Sequence, residues 1–89
     1  MTTLKKLYEI HALVQTGVAL FGCTEEFGEN YMNQFSEIGK TLITELDLSP
    51  EAVKLLPHET ELPPQTETKL QNFRKWLAQQ RTGFTKQLL

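Results

Sequence analysis

The stretch from Leu4 to Phe21 constrains this chain more than any other. Apolar side chains return at Leu4, Leu7, Val14, Val18 and Phe21, and His11 occupies the one break in that spacing. On a helix advancing about 100° per residue, this stripe merges with a second one through Ile10, Leu13 and Leu20, so apolar groups cover most of the circumference. Lys5, Glu9, Gln15 and Thr16 leave only a narrow polar strip, and Ala12, Gly17 and Ala19 are small enough for another backbone to come close. A helix of this kind needs neighbours on more than one side. They can come from the same chain or from another.

Length makes that question pointed. With 89 residues the chain forms one domain, and folding at this size withdraws only roughly 60–65% of the unfolded chain's surface from water. At about 0.05–0.15 kcal/mol per residue, the stability of such a domain is on the order of 4–13 kcal/mol, so leftover apolar surface favours a partner chain. A homodimer is therefore expected. Hydrophobic residues make up 39% and charged residues 22%, a composition that argues against disorder over the whole length.

Cys23 is the sole cysteine and no Asn-x-Ser/Thr acceptor occurs, which points to a reducing, cytoplasmic setting. The lysines at 5 and 6 followed by apolar residues imitate a signal peptide, but His11, Gln15 and Thr16 interrupt the run. It falls well short of the roughly 20 residues that span a bilayer, so no membrane insertion is expected.

The net charge of −2 conceals an uneven distribution. Residues 24–67 hold ten acids against two lysines, whereas residues 68–89 hold five Lys or Arg and no acid. The two blocks attract one another within a chain or between subunits, or one of them faces an oppositely charged partner.

The spacing predicts an all-α chain: helices over 3–22 and 24–47 forming a hairpin, a short helix over 50–56, a Pro-rich linker over 57–65, a C-terminal amphipathic helix over 66–82 and a tail over 83–89. Gly22 closes the first helix in a left-handed conformation, and Thr24 caps the second, with Glu25 and Glu26 at its positive end. The second helix presents Phe27, Tyr31, Phe35, Ile38, Leu42 and Leu46, with Met32 and Ile43 alongside. Within it, residues 41–48 alternate as a strand would, but a lone strand would have no partner, so helix is preferred.

Ser49-Pro50-Glu51 starts the third helix and Pro57 limits it, leaving Ala52, Val53, Leu55 and Leu56 to cover one end of the core. Pro63-Pro64 sets an extended path that carries the last segment across the body. Thr66 or Thr68 caps the final helix, whose apolar positions are Leu70, Phe73, Trp76 and Leu77.

Several chemistries fail on inspection. Gly39-Lys40-Thr41 matches the end of a phosphate-binding loop, but Gln34 stands where the first glycine is needed and no strand precedes it. His11, Cys23 and His58 lack the close-paired spacing of metal ligands, so no metal and no cofactor is expected. Neither Ser36 nor Ser49 lies in a strained elbow, and Cys23 has no nearby base, so no catalytic residue is assigned and no enzyme is expected.

His11 remains as a polar register position or a pH-sensitive contact. The last helix combines Phe73, Trp76 and Leu77 with Arg74, Lys75 and Arg81, and Trp and Arg are the side chains most enriched in binding hot spots. The sequence thus reads as a non-enzymatic protein-binding module, a regulator, adaptor or small subunit, contacting its partner through Leu7, Val14, Val18, Phe73, Arg74, Trp76, Leu77 and Arg81. The alternatives are a nucleic-acid-associated protein using basic residues 69–86, or an acidic mimic of nucleic acid presenting Glu25, Glu26, Glu29 and Glu37.

Overall fold

The computed structural model describes residues 2–22 and 24–80, apart from the side chain of Phe21, and within them the chain is all-α. Four helices follow in order: α1 Leu4–Phe21, α2 Glu25–Leu46, α3 Pro50–Lys54 and α4 Pro64–Gln79. The three long ones make a bundle. α2 returns against α1 as a hairpin, placing Tyr31 and Phe35 beside His11. α4 then runs antiparallel to α2, with Trp76 against Phe27, Phe73 against Tyr31 and Thr66 against Glu45. The core is Leu4, Leu7, Ile10 and Val14 from α1, Phe27, Tyr31, Ile38 and Leu42 from α2, and Leu70, Phe73 and Leu77 from α4. Val53 and Leu62 close one end.

Each helix end has an identifiable stop or cap. Gly22 ends α1 at φ 72°, ψ 175°, its N–H donating to the Val18 carbonyl. The positive φ was expected, but the conformation is the extended, glycine-specific one rather than the left-handed helical one. Thr24 Oγ1 accepts from Phe27 N–H at 3.0 Å, and Ser49 Oγ accepts from Ala52 N–H at 3.2 Å. Asp47 takes the left-handed conformation that closes α2, and Leu48 N–H reaches back to the Ile43 carbonyl. Helix therefore persists through Leu46, and the apparent alternation over 41–48 belongs to the last turns of α2 and its cap.

Two junctions differ from the sequence reading. α3 stops at Lys54, so Val53 is buried and Leu56 half-buried, whereas Leu55 points to solvent. α4 begins at Pro64, earlier than expected, because a proline in the first turn gives up no helical hydrogen bond. Thr66 consequently lies inside the first turn, fully buried, and is not the cap. The cap comes from α2: Glu45 Oε1 accepts from Thr66 N–H at 2.6 Å and Thr66 Oγ1 at 2.8 Å, while Glu45 Oε2 accepts from Gln65 N–H at 3.2 Å.

The linker also caps a helix. Thr3 offers no side-chain bond to α1; instead Leu4 N–H donates to the Thr60 carbonyl at 2.8 Å and Lys5 N–H to the His58 carbonyl at 2.9 Å. Leu62 N–H donates in turn to the Thr2 carbonyl, around an isolated antiparallel bridge between Thr3 and Glu61. The proline-rich stretch thus satisfies the free amides of α1 while buried Leu62 anchors it. Arg81 and the 83–89 tail lie outside the described residues, as does Cys23.

Candidate interaction surface

The residues singled out from sequence divide into those the bundle consumes and those it leaves outside. Leu7, Val14, Phe73 and Leu77 are enclosed by the chain's own helices, so they hold the fold together and have no surface to offer a partner. Val18 and Trp76 are half-buried, and Arg74 is exposed. Trp76 stacks on Phe27 at 5.9 Å between ring centroids, which spends much of its ring inside the molecule.

His11 sits in the same aromatic layer. Its ring stacks on Phe35 at 4.4 Å, and its Nδ1 lies 2.8 Å from Tyr31 Oη. Tyr31 is only 3% exposed, and burial pushes its phenol up to about 12. The buried hydroxyl therefore keeps its proton, and the Tyr31 Oη and His11 Nδ1 share one hydrogen bond. This bond ties α1 to α2 at one register.

The outer side of α1 is different. Because α2 and α4 occupy the side bearing Leu4, Leu7, Ile10 and Val14, the opposite side of its second half faces solvent: Ala12, Leu13, Gln15, Thr16, Ala19 and Leu20. Leu13 is 49% and Leu20 71% exposed. The two stand one heptad apart, about 10.5 Å along the axis. Thr16 Oγ1 donates to the Ala12 carbonyl at 3.0 Å, so its one donor is spent on its own helix. No charged residue occurs from Ile10 to Thr24. Before this stretch the exposed Lys5 pairs with Glu9 at 3.9 Å, and after it Glu25, Glu26 and Glu29 belong to the first turns of α2. Sequence reasoning placed Leu13 and Leu20 in the merged apolar stripe; the signal that they stay outside was the scarcity of other chain to cover them.

The remaining motifs have ordinary placements. Gly39-Lys40-Thr41 lies in mid-α2, with Lys40 Nζ 3.7 Å from Glu37 and Thr41 Oγ1 donating to the Glu37 carbonyl, so its amides belong to the helix. Ser36 is on α2 and Ser49 is a cap. His58 packs against Tyr8 at 5.2 Å. Glu25, Glu26, Glu29 and Glu37 are all exposed, and Glu37 also pairs with Lys69 at 4.0 Å, linking the acidic segment to the basic one.

Among the described residues, no three His, Cys, Asp or Glu side chains converge as a metal site would require, and no helix is long and apolar enough to cross a membrane. No family model matches the chain, and no curated protein or solved structure shows detectable similarity to it.

Proposed function

We propose that this protein is a non-enzymatic interaction module that binds another protein chain through the outer face of α1. One observation carries the reading: an uncharged surface from Ala12 to Leu20 on which two leucines stand half to three-quarters open to water. Fully burying a leucine is worth about 1.5–3 kcal/mol, so covering what remains exposed of this pair is worth about 2–3 kcal/mol. That is a useful share of a moderate binding energy and a standing cost to the free chain. The carrying residues are Leu13 and Leu20, with Ala12, Thr16 and Ala19 allowing close approach. They replace the contacts expected from Leu7, Val14, Phe73 and Leu77, whose burial in the bundle leaves them a structural role.

A photo-activated cross-linking residue at position 16, in cells producing the chain, tests the reading. The expected result is a discrete protein adduct that disappears when Leu20→Glu is added. Leu20 is exposed, so the variant should keep its helical circular dichroism. Absence of an adduct, or an adduct indifferent to Leu20→Glu, overturns the assignment.

A further inference from the structure

We propose that the occupant of this face is a segment of another protein with carboxylates at one end of an apolar stripe, and that those carboxylates land on Lys6 and Arg74. The inference rests on reading the outer face of α1 as a docking surface, and adds to it the chemistry and direction of what docks. It follows from spacing. Lys6, Leu13 and Leu20 recur every seven residues, an interval after which an α-helix returns to within about 20° of its starting direction. The three side chains therefore share one edge of α1, successive ones about 10.5 Å apart along the axis, with the lysine first and the two exposed leucines after it.

At its lysine end this edge meets α4. Thr2, Thr3, Lys5, Lys6 and Glu9 line one cleft with Arg74, and Thr2 Oγ1 donates to Glu67 Oε1 at 3.2 Å across the same junction. The acids here are already engaged: Glu67 holds Thr2, and Glu9 lies 3.9 Å from Lys5. Among the described residues neither half-buried Lys6 nor exposed Arg74 has an ion-pair partner. Lys5, Lys6 and Arg74 against Glu9 leave the cleft with a net charge of +2. The first amides of α1 add nothing, because Leu4 and Lys5 N–H donate to the linker carbonyls. An anion in the cleft therefore meets side chains: an ammonium, a guanidinium and the Thr3 hydroxyl, which caps nothing. Arginine's planar fork matches a carboxylate with two parallel hydrogen bonds.

A ligand covering this edge has to be anionic over the first turns of α1 and apolar over the second half. An amphipathic protein segment meets both demands. A nucleic-acid backbone has no apolar side to offer Leu13 and Leu20, and two unpaired cations release few of the counterions that drive its binding. The charged end also fixes direction, since a segment laid the opposite way would leave its acids beside the leucines and Lys6 with Arg74 uncovered.

The test uses the full-length chain with the cross-linking residue at position 16. Lys6→Glu together with Arg74→Glu should cut the yield of adduct at least about tenfold by setting acid against acid. Lys40→Glu, the same change of charge on α2 beside Glu37, should leave it unaltered. Both reversed side chains reach solvent, so helical circular dichroism should persist; Arg74→Glu alone, at an exposed position, should still lower the yield if the double variant does not fold. Mass spectrometry of the attached segment should find Asp or Glu about 15 Å from the attached residue, the axial distance from Thr16 to Lys6. Changing those acids to lysine should restore the adduct to the doubly reversed chain.

An adduct lost on Leu20→Glu but indifferent to the double reversal leaves the docking face standing and overturns the acidic-end proposal. So does an attached segment with no acid at that distance, or one that belongs to this chain itself. A labelled single-stranded DNA of 20 nucleotides that binds the native chain, and is released by the double reversal but not by Leu20→Glu, would assign the basic end to nucleic acid instead. Absence of any adduct removes both readings.

Discussion

Gly39 sits in the middle of α2, and a β-carbon built there would meet nothing within 4 Å. Gly39→Ala therefore adds no clash, and its effect reduces to the backbone freedom that glycine surrenders on entering a helix. That difference is about 0.8–1.0 kcal/mol in favour of alanine. For a chain of this size, with a urea m-value of about 1 kcal/mol per molar, the unfolding midpoint should rise by about 0.8–1 M at unchanged slope. In a thermal scan the same gain is about 4–8 °C. Urea titration followed by far-UV circular dichroism measures it directly.

Gly22 supplies the opposite sign within the same protein: at φ 72°, ψ 175° its surroundings are equally empty, but the conformation excludes a side chain. Gly22→Ala should cost about 1–3 kcal/mol. The reasoning is refuted if Gly39→Ala fails to stabilise, since something would then have to press against the open side of α2, or if Gly22→Ala is neutral.

Three further outcomes follow from the interior. Tyr31→Phe deletes the 2.8 Å bond to His11 and should cost about 1 kcal/mol, a fall of about 4–8 °C in melting temperature; half-buried His11 can take water instead, so a loss several times larger would mean the bond does more than fix register. Phe73→Ala empties the centre of the aromatic layer and should cost about 3–5 kcal/mol, read as a lower midpoint in a urea titration. Partial burial alone would raise the Glu45 carboxyl, but the Thr66 hydroxyl and the amides of Thr66 and Gln65 outweigh it and hold it below its ordinary value. A carboxyl lowered on folding stabilises the fold above its unfolded-state pKa, and that contribution fades as pH falls through the lowered value. Glu45→Gln should therefore be less stable than the native chain near neutrality, with the gap closing in strong acid when urea midpoints are compared across pH.

Local signals were legible in the sequence wherever the chemistry is local. Gly22-Cys23-Thr24 marked the α1–α2 hairpin, and Ser49-Pro50 marked the start of α3, because a cap and its amide lie three residues apart. The start of α4 was misplaced because its cap is Glu45, twenty-one residues before Thr66, and no short-range pattern reports a pairing made only when α2 and α4 meet. The linker's role was hidden for the same reason, since its carbonyls at His58 and Thr60 serve amides at the other end of the chain.

The apolar width of α1 was legible, but within the chain only one side of its second half is covered, and Leu13 and Leu20 stay exposed. Which leucines remain outside depended on where α2 and α4 pack, and the choice of Leu7 and Val14 over Leu13 and Leu20 followed the stronger periodicity into the core. Phe73 and Leu77 carry chemistry common to interfaces and interiors alike, and helix packing alone decides between the two.

The most direct test is the amide spectrum of the isotopically labelled native chain recorded dilute and purified, and again in a concentrated extract of the cells that produce it. Docking through the outer face of α1 requires the resonances of Ala12 to Leu20 to shift or broaden in the extract, while those of α4 around Phe73 stay fixed. Spectra that agree over Ala12 to Leu20, or a change confined to α4, would contradict it.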